Sequence, residues 1–85
     1  MSGKQKRQFD EAFLSAFSSY TEIERMLDYI DIDLNTFSNP LRTLPEVVKD
    51  LRNYATKQNK LSEIIQGALA EVPGNPQLKQ LSQTI

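Results

Sequence analysis

The stretch Thr43 to Tyr54 constrains this 85-residue chain more than any other. Leu44, Val47, Val48, Leu51, Tyr54 and Ala55 recur at the three-and-four spacing that aligns them along one side of an α-helix. Glu46, Lys49, Asp50, Arg52 and Asn53 take the other side. A helix with one dry face needs covering, so the remaining segments have to supply the cover. The start of this helix is marked twice: Thr43 with Glu46 three residues on spells a capping box, and Pro45 falls in the first turn, where a missing N–H costs little.

The same punctuation recurs on both sides. Ser2 with Gln5 caps a first helix running to about Phe17, with Phe9, Ala12, Phe13, Ala16 and Phe17 on its apolar side. Ser18-Ser19 interrupts it, and Ser19 with Glu22 repeats the capping-box pattern before a second helix carrying Tyr20, Ile23, Met26, Leu27 and Ile30. Asp33 can cap one short turn that places Leu34 and Phe37 on the core. Asn39-Pro40 then breaks the chain, because the residue before a proline is pushed out of the helical region.

The Thr43 helix should end near Gln58-Asn59, with Asn59 also capping a helix lined by Leu61, Ile64, Ile65, Ala68 and Leu69. A glycine inside a helix costs about 0.8–1.0 kcal/mol relative to alanine, so Gly67 predicts another helix backbone passing close by. In Pro73-Gly74-Asn75-Pro76, Gly74 is expected to turn left-handed, Asn75 to cap, and Pro76 to open a last helix bearing Leu78 and Leu81. No stretch reads as a strand. The pattern predicts an all-α, compact six-helix bundle, five long helices plus one short, in a single domain over 1–85 with its core at 9–81 and a frayed tail at 82–85.

Composition removes several function classes. Hydrophobic residues at 39% and charged residues at 25% describe an ordinary globular chain rather than a disordered one. A formal charge of −1 argues against binding nucleic acid by phosphate neutralisation. The chain has neither cysteine nor histidine, which removes disulfides, thiolate metal sites, the usual metal ligand and the usual general base. Asp31-x-Asp33-x-Asn35 copies the opening of a calcium loop, but Thr36 stands where the loop needs glycine and Arg42 where it needs a bidentate glutamate. The serines have no histidine to activate them, and Gly3, Gly67 and Gly74 lie too far apart to cradle a phosphate. The expectation is therefore no enzyme, no cofactor and no metal. The opening Met-Ser-Gly-Lys-Gln-Lys-Arg lacks an apolar core and no run approaches a membrane span, so a cytoplasmic address without membrane contact is expected.

One charge asymmetry remains. Lys4, Lys6 and Arg7 cluster at the chain start, and Asp28, Asp31 and Asp33 cluster at the end of the second helix. Opposite clusters on different elements can meet head to tail across two copies. Arg25, with Tyr29 and Ile32 as apolar centres at the helix end, completes the candidate interaction surface. A rival placement, a nucleic-acid or ligand site, would use the loop from Asp31 to Arg42 with Lys49, Arg52, Lys57 and Lys60.

The order of these blocks resembles the effector-associated domain 1 family over about Phe9 to Leu81. The blocks are Phe13-Leu14-Ser15-Ala16-Phe17, Ile23-Glu24-Arg25-Met26-Leu27, Leu44-x-x-Val47-Val48-x-x-Leu51-x-x-Tyr54-Ala55, Leu61-x-Glu63-Ile64-Ile65-x-x-Ala68 and Pro73-Gly74-Asn75-Pro76-x-Leu78. Tyr54 stands where the family favours tryptophan, and Val72 where it favours asparagine. The resemblance implies a death-domain-like helical bundle and an adaptor without catalytic residues. Its implied partner is a like domain, in a second copy or in a protease, nuclease or ATPase-containing protein of bacterial conflict signalling, with weak self-association.

Overall fold

The computed structural model describes residues 1–84, and Ile85 lies outside the described residues. In order come α1 (Gly3–Ala16), α2 (Tyr20–Asp28), a 3₁₀ turn at Leu34–Thr36, α3 (Leu44–Lys57), α4 (Leu61–Glu71) and α5 (Pro76–Thr84). No strand occurs among the described residues, in line with the all-α reading. The last helix runs through Ser82 to Thr84, past the point where fraying was expected.

Two of the expected capping boxes close fully. The Ser2 N–H donates to Gln5 Oε1 at 2.9 Å and the Gln5 N–H returns to Ser2 Oγ at 3.2 Å. At α3 the Thr43 N–H donates to Glu46 Oε1 at 2.9 Å while Thr43 Oγ1 accepts from the Glu46 N–H at 3.4 Å. The third box is offset. Ser19 Oγ accepts from the Glu22 N–H, but the Glu22 carboxylate takes the Ser18 N–H and hydroxyl rather than the Ser19 N–H.

The dry face of α3 is fully covered, with Val47, Val48, Leu51 and Ala55 at 0–1% exposure. Phe9, Ala12 and Phe13 of α1 and Ile64, Ile65 and Ala68 of α4 belong to the same core, and Leu78 and Leu81 extend it from α5. Tyr54 stacks on Phe37 with ring centroids 4.2 Å apart, so a flat aromatic fills the place at the edge of the core. Arg52 of α3 pairs with Asp10 of α1, and Asn75 before α5 donates to Ser15 Oγ at the far end of α1. With Gln5 beside Thr56 and Gln8 beside Gln80, these contacts make α1 antiparallel to both α3 and α5.

Two non-glycine residues adopt left-handed backbone, Asp31 at φ 61° and Asn59 at φ 56°, and each ends a helix the same way. The Ile32 N–H reaches back to Leu27 O at 3.0 Å and the Asp31 N–H to Asp28 O at 3.1 Å. The Lys60 N–H reaches Ala55 O at 2.9 Å and the Asn59 N–H reaches Thr56 O at 3.4 Å. Both are Schellman closures, a place usually filled by glycine. Asn59 is thus consumed in ending α3 and does not cap α4, whose start at Lys60 has no side-chain cap.

Two glycine expectations are also corrected. A Cβ on Gly67 would lie 3.3 Å from Ile30 Cδ1 and Cγ2 and 3.6 Å from Met26 Sδ, so side chains of α2 and of the turn after it, rather than a helix backbone, fill that space. Gly74 is not left-handed. The chain turns there through the Asn75 N–H bonding to Val72 O, and Asn75 Oδ1 then caps α5 by accepting from the Gln77 and Leu78 N–H groups, as expected.

Three outcomes follow. Val48→Asp places an unpaired charge at a position with 0% exposure and abolishes cooperative unfolding by circular dichroism. Asn59→Gly relieves left-handed strain and raises the melting temperature, whereas Asp31→Val costs about 1–2 kcal/mol, with each kcal/mol read as roughly 4–8 °C. The third concerns pH. Hydrogen bonds from Thr43, with Arg42 and Lys49 adding less, hold the Glu46 carboxyl below the usual carboxylate range, and Ser18 does the same for Glu22. A lowered folded value means these caps contribute fully above the unfolded carboxyl value of about 4.3 and lose their contribution as pH falls through the lower folded value. Urea melts therefore weaken in that acid window, and Glu46→Gln shows a smaller acid loss.

Candidate interaction surface

Helix α2 turns Ile23, Met26 and Leu27 inward, each at 0–1% exposure, which leaves Thr21, Arg25, Asp28 and Tyr29 on the outside. This outer side is a ridge between two shallow grooves. One, of about 320 Å³, separates it from the end of α4 and is lined by Phe17, Glu22, Glu71 and Val72. The other, of about 350 Å³, separates it from the 3₁₀ turn and is lined by Glu24, Asp33 and Leu34. Arg25 borders both, and Tyr29 stands 69% exposed at the rim of the first.

The Schellman closure at Asp31 decides what happens to the residues after the ridge. It reverses the chain and folds Ile32 back onto the core at 5% exposure. Ile32 therefore cannot form an interface centre: the left-handed residue before it turns its side chain into the core that also holds Leu27. Asp31 and Asp33 stay exposed. Asp33 Oδ1 caps the 3₁₀ turn by accepting from the Asn35 N–H at 3.0 Å. Asn35 in turn donates to Glu24 Oε2 at 2.8 Å and accepts from the Tyr20 hydroxyl, so the Asp33 and Asn35 oxygens of the calcium-like pattern serve the fold. Burial, and then the Glu24 and Asp33 carboxylates, hold the Tyr20 phenol above its ordinary value.

The charged clusters do not pair within the molecule. Among the described residues the ion pairs are Arg42 with Glu46 and Asp50, Arg52 with Asp10, and Lys60 with Glu63; none uses Lys4, Lys6, Arg7, Arg25, Asp28, Asp31 or Asp33. Lys4, Lys6, Arg7 and Asp28 also sit at the unfavoured ends of their helices. A helix favours anions at its start and cations at its end. Helix α3 obeys this with Glu46 first and Lys57 last. Helix α1 opens on Lys4, with Lys6 and Arg7 close behind and no acidic residue in its first turn; α2 has Glu22 in its first turn and Arg25 in its last, yet its final residue is Asp28, with Asp31 following.

Of the rival basic set, Arg52 is tied to Asp10 with a side chain only 12% exposed, and Lys60 faces Glu63 at 3.9 Å. A further surface residue had no role in the sequence reading. Leu41 is 95% exposed, the most open of the large apolar side chains among the described residues. Its signal in the sequence is a leucine inside the Asn39-Pro40-Leu41-Arg42 turn, where it joins no helical periodicity.

No helix among the described residues is long and apolar enough to cross a membrane. No curated protein and no solved structure matches the chain. The family model for effector-associated domain 1 matches residues 1–85, wider than the Phe9 to Leu81 blocks of the sequence resemblance. By that match over its whole length, the chain belongs to the effector-associated domain 1 family.

Proposed function

We propose that this domain is a non-enzymatic, cytoplasmic adaptor that couples effector and regulator proteins in bacterial conflict signalling. It does so through homotypic or family-restricted contacts between death-like helical domains. The observation that carries the reading is the pair of clusters just described: Lys4, Lys6 and Arg7 against Asp28, Asp31 and Asp33, opposite in sign and without an ion-pair partner among the described residues, with Lys4, Lys6, Arg7 and Asp28 opposed to the dipoles of their own helices. Residues that work against local stability mark a surface kept for something outside the domain. Two copies placed head to tail bring the clusters together.

Magnitudes set the form of the contact. Three exposed charge pairs at roughly 0.2–1 kcal/mol each give at most about 3 kcal/mol, short of the 4.1 kcal/mol of a millimolar complex. An apolar centre has to add to them, and with Ile32 buried Tyr29 is the remaining candidate on this face. Covalently attached domains raise the effective concentration further. The isolated domain is accordingly mostly monomeric and associates weakly, more so at low salt.

Sedimentation across a concentration series at two ionic strengths tests this. Lys6→Glu is expected to weaken association about two- to fivefold, the range of one exposed pair, and Tyr29→Ala about tenfold. Lys6→Glu also puts an anion near the start of α1, so its melting temperature holds or rises while association falls. Tight association indifferent to salt and to both substitutions would remove the reading.

A further inference from the structure

We infer that the groove between α2 and the end of α4 receives Arg7 of a second copy, its guanidinium set against the Glu71 carboxylate and the Tyr29 ring. This rests on the adaptor reading and names the site on one copy that takes the basic cluster of the next. The groove, about 320 Å³, has an apolar lining of Ala16, Phe17 and Val72, a carboxylate from each of its two helices in Glu22 and Glu71, and Tyr29 at its rim. Apolar walls suit the methylene stem of a long cation, a carboxylate suits its head, and an aromatic face suits a flat guanidinium. Glu22 is partly spent, because its carboxylate already holds the Ser18 N–H and hydroxyl. Glu71 is the one left to bind. It is the exposed last residue of α4, a helix with no basic residue in its last turn, so its charge opposes the dipole, and it has no ion-pair partner among the described residues.

The sign of each patch survives a wide count. Arg25 is the one basic residue lining the groove, the segments that build it, 8–24, 26–41 and 61–78, contain no lysine or arginine, and Asp28 adds a further negative charge. At the start of α1, Lys4, Lys6 and Arg7 precede every acidic residue of the chain. Asp10 is committed to Arg52, and Glu11, one turn on from Arg7, makes no ion pair with it. Lys57 and Lys60, next in sequence to residues that meet the start of α1, outnumber Glu63. A negative groove with an aromatic rim thus faces a basic patch whose one guanidinium is Arg7, exposed and without an ion-pair partner among the described residues. Within one molecule Arg7 lies about 14 Å of helix from Ala16, the α1 residue at the groove, so the arginine comes from another copy. Arm and groove are different patches, which makes the contact heterologous.

Charge exchange tests the pairing. In sedimentation of the 85-residue chain up to millimolar concentration at low salt, Arg7→Glu and Glu71→Arg are each expected to lower self-association about tenfold, since each sets like charges against one another. Both put at their helix end the sign it favours, so melting temperatures hold or rise. The double variant is expected to return to within about threefold of the parent, and Arg7→Lys to fall about threefold because an ammonium does not stack as a guanidinium does. Unchanged association of Glu71→Arg, or a double variant no better than either single one, overturns the groove as the receiving site. Lys6→Glu judges the adaptor reading separately: if it still weakens association in that case, the basic cluster works against another surface and the adaptor reading stands. A parent that stays monomeric throughout overturns the contact between copies and leaves pairing with a related domain.

Discussion

Complete burial of one face of α3 is the constraint on which everything else in this domain depends. Val47, Val48, Leu51 and Ala55 lose essentially all contact with water, and they do so only because α1 and α4 lie over them. A chain of this size buries only about 60–65% of its unfolded surface, so it has little core to spare. The aromatic run Phe9, Phe13, Phe17 on α1 supplies much of the remaining volume, with the first two rings stacked at 4.3 Å. The caps fix where every helix but α4 begins, and the Arg52–Asp10 pair ties α3 to α1. They refine an arrangement that apolar burial imposes.

A scaffold secured in this way leaves surface charges free for other work. On α3, which the core needs most, Glu46 and Lys57 agree with the helix dipole and Asp50 braces the preceding turn. On α1 and α2, Lys4, Lys6, Arg7 and Asp28 oppose their helix dipoles and have no ion-pair partner among the described residues. The division is what the proposed adaptor role would require, a stiff outer surface kept for recognition. Leu41 fits the same division, since the turn that carries it is anchored to α3 while its side chain contributes nothing to the interior.

Most of the bundle could be read from the chain. Ser2–Gln5 and Thr43–Glu46 are contacts across three residues, and the face of α3 is a spacing of three and four; such signals are complete within one turn of helix and need no knowledge of the rest. The outward positions of Lys4, Lys6, Arg7, Arg25, Asp28 and Tyr29 followed from the same periodicity. So did the capping role of Asn75.

What only the tertiary structure decided concerns how the chain leaves each helix. Asp31 and Asn59 take the left-handed backbone that composition assigns first to glycine, while Gly74, the obvious candidate, does not. That exchange turned Ile32 into the core and took Asn59 away from α4. Gly67 makes room for Ile30 and Met26, side chains that meet it only once α2 lies across α4. The sequence by itself determined which residues are apolar together on a helix and that Leu41 stands outside every such set; the directions of the reversals, and so the burial of Ile32, depend on packing between segments far apart in the chain.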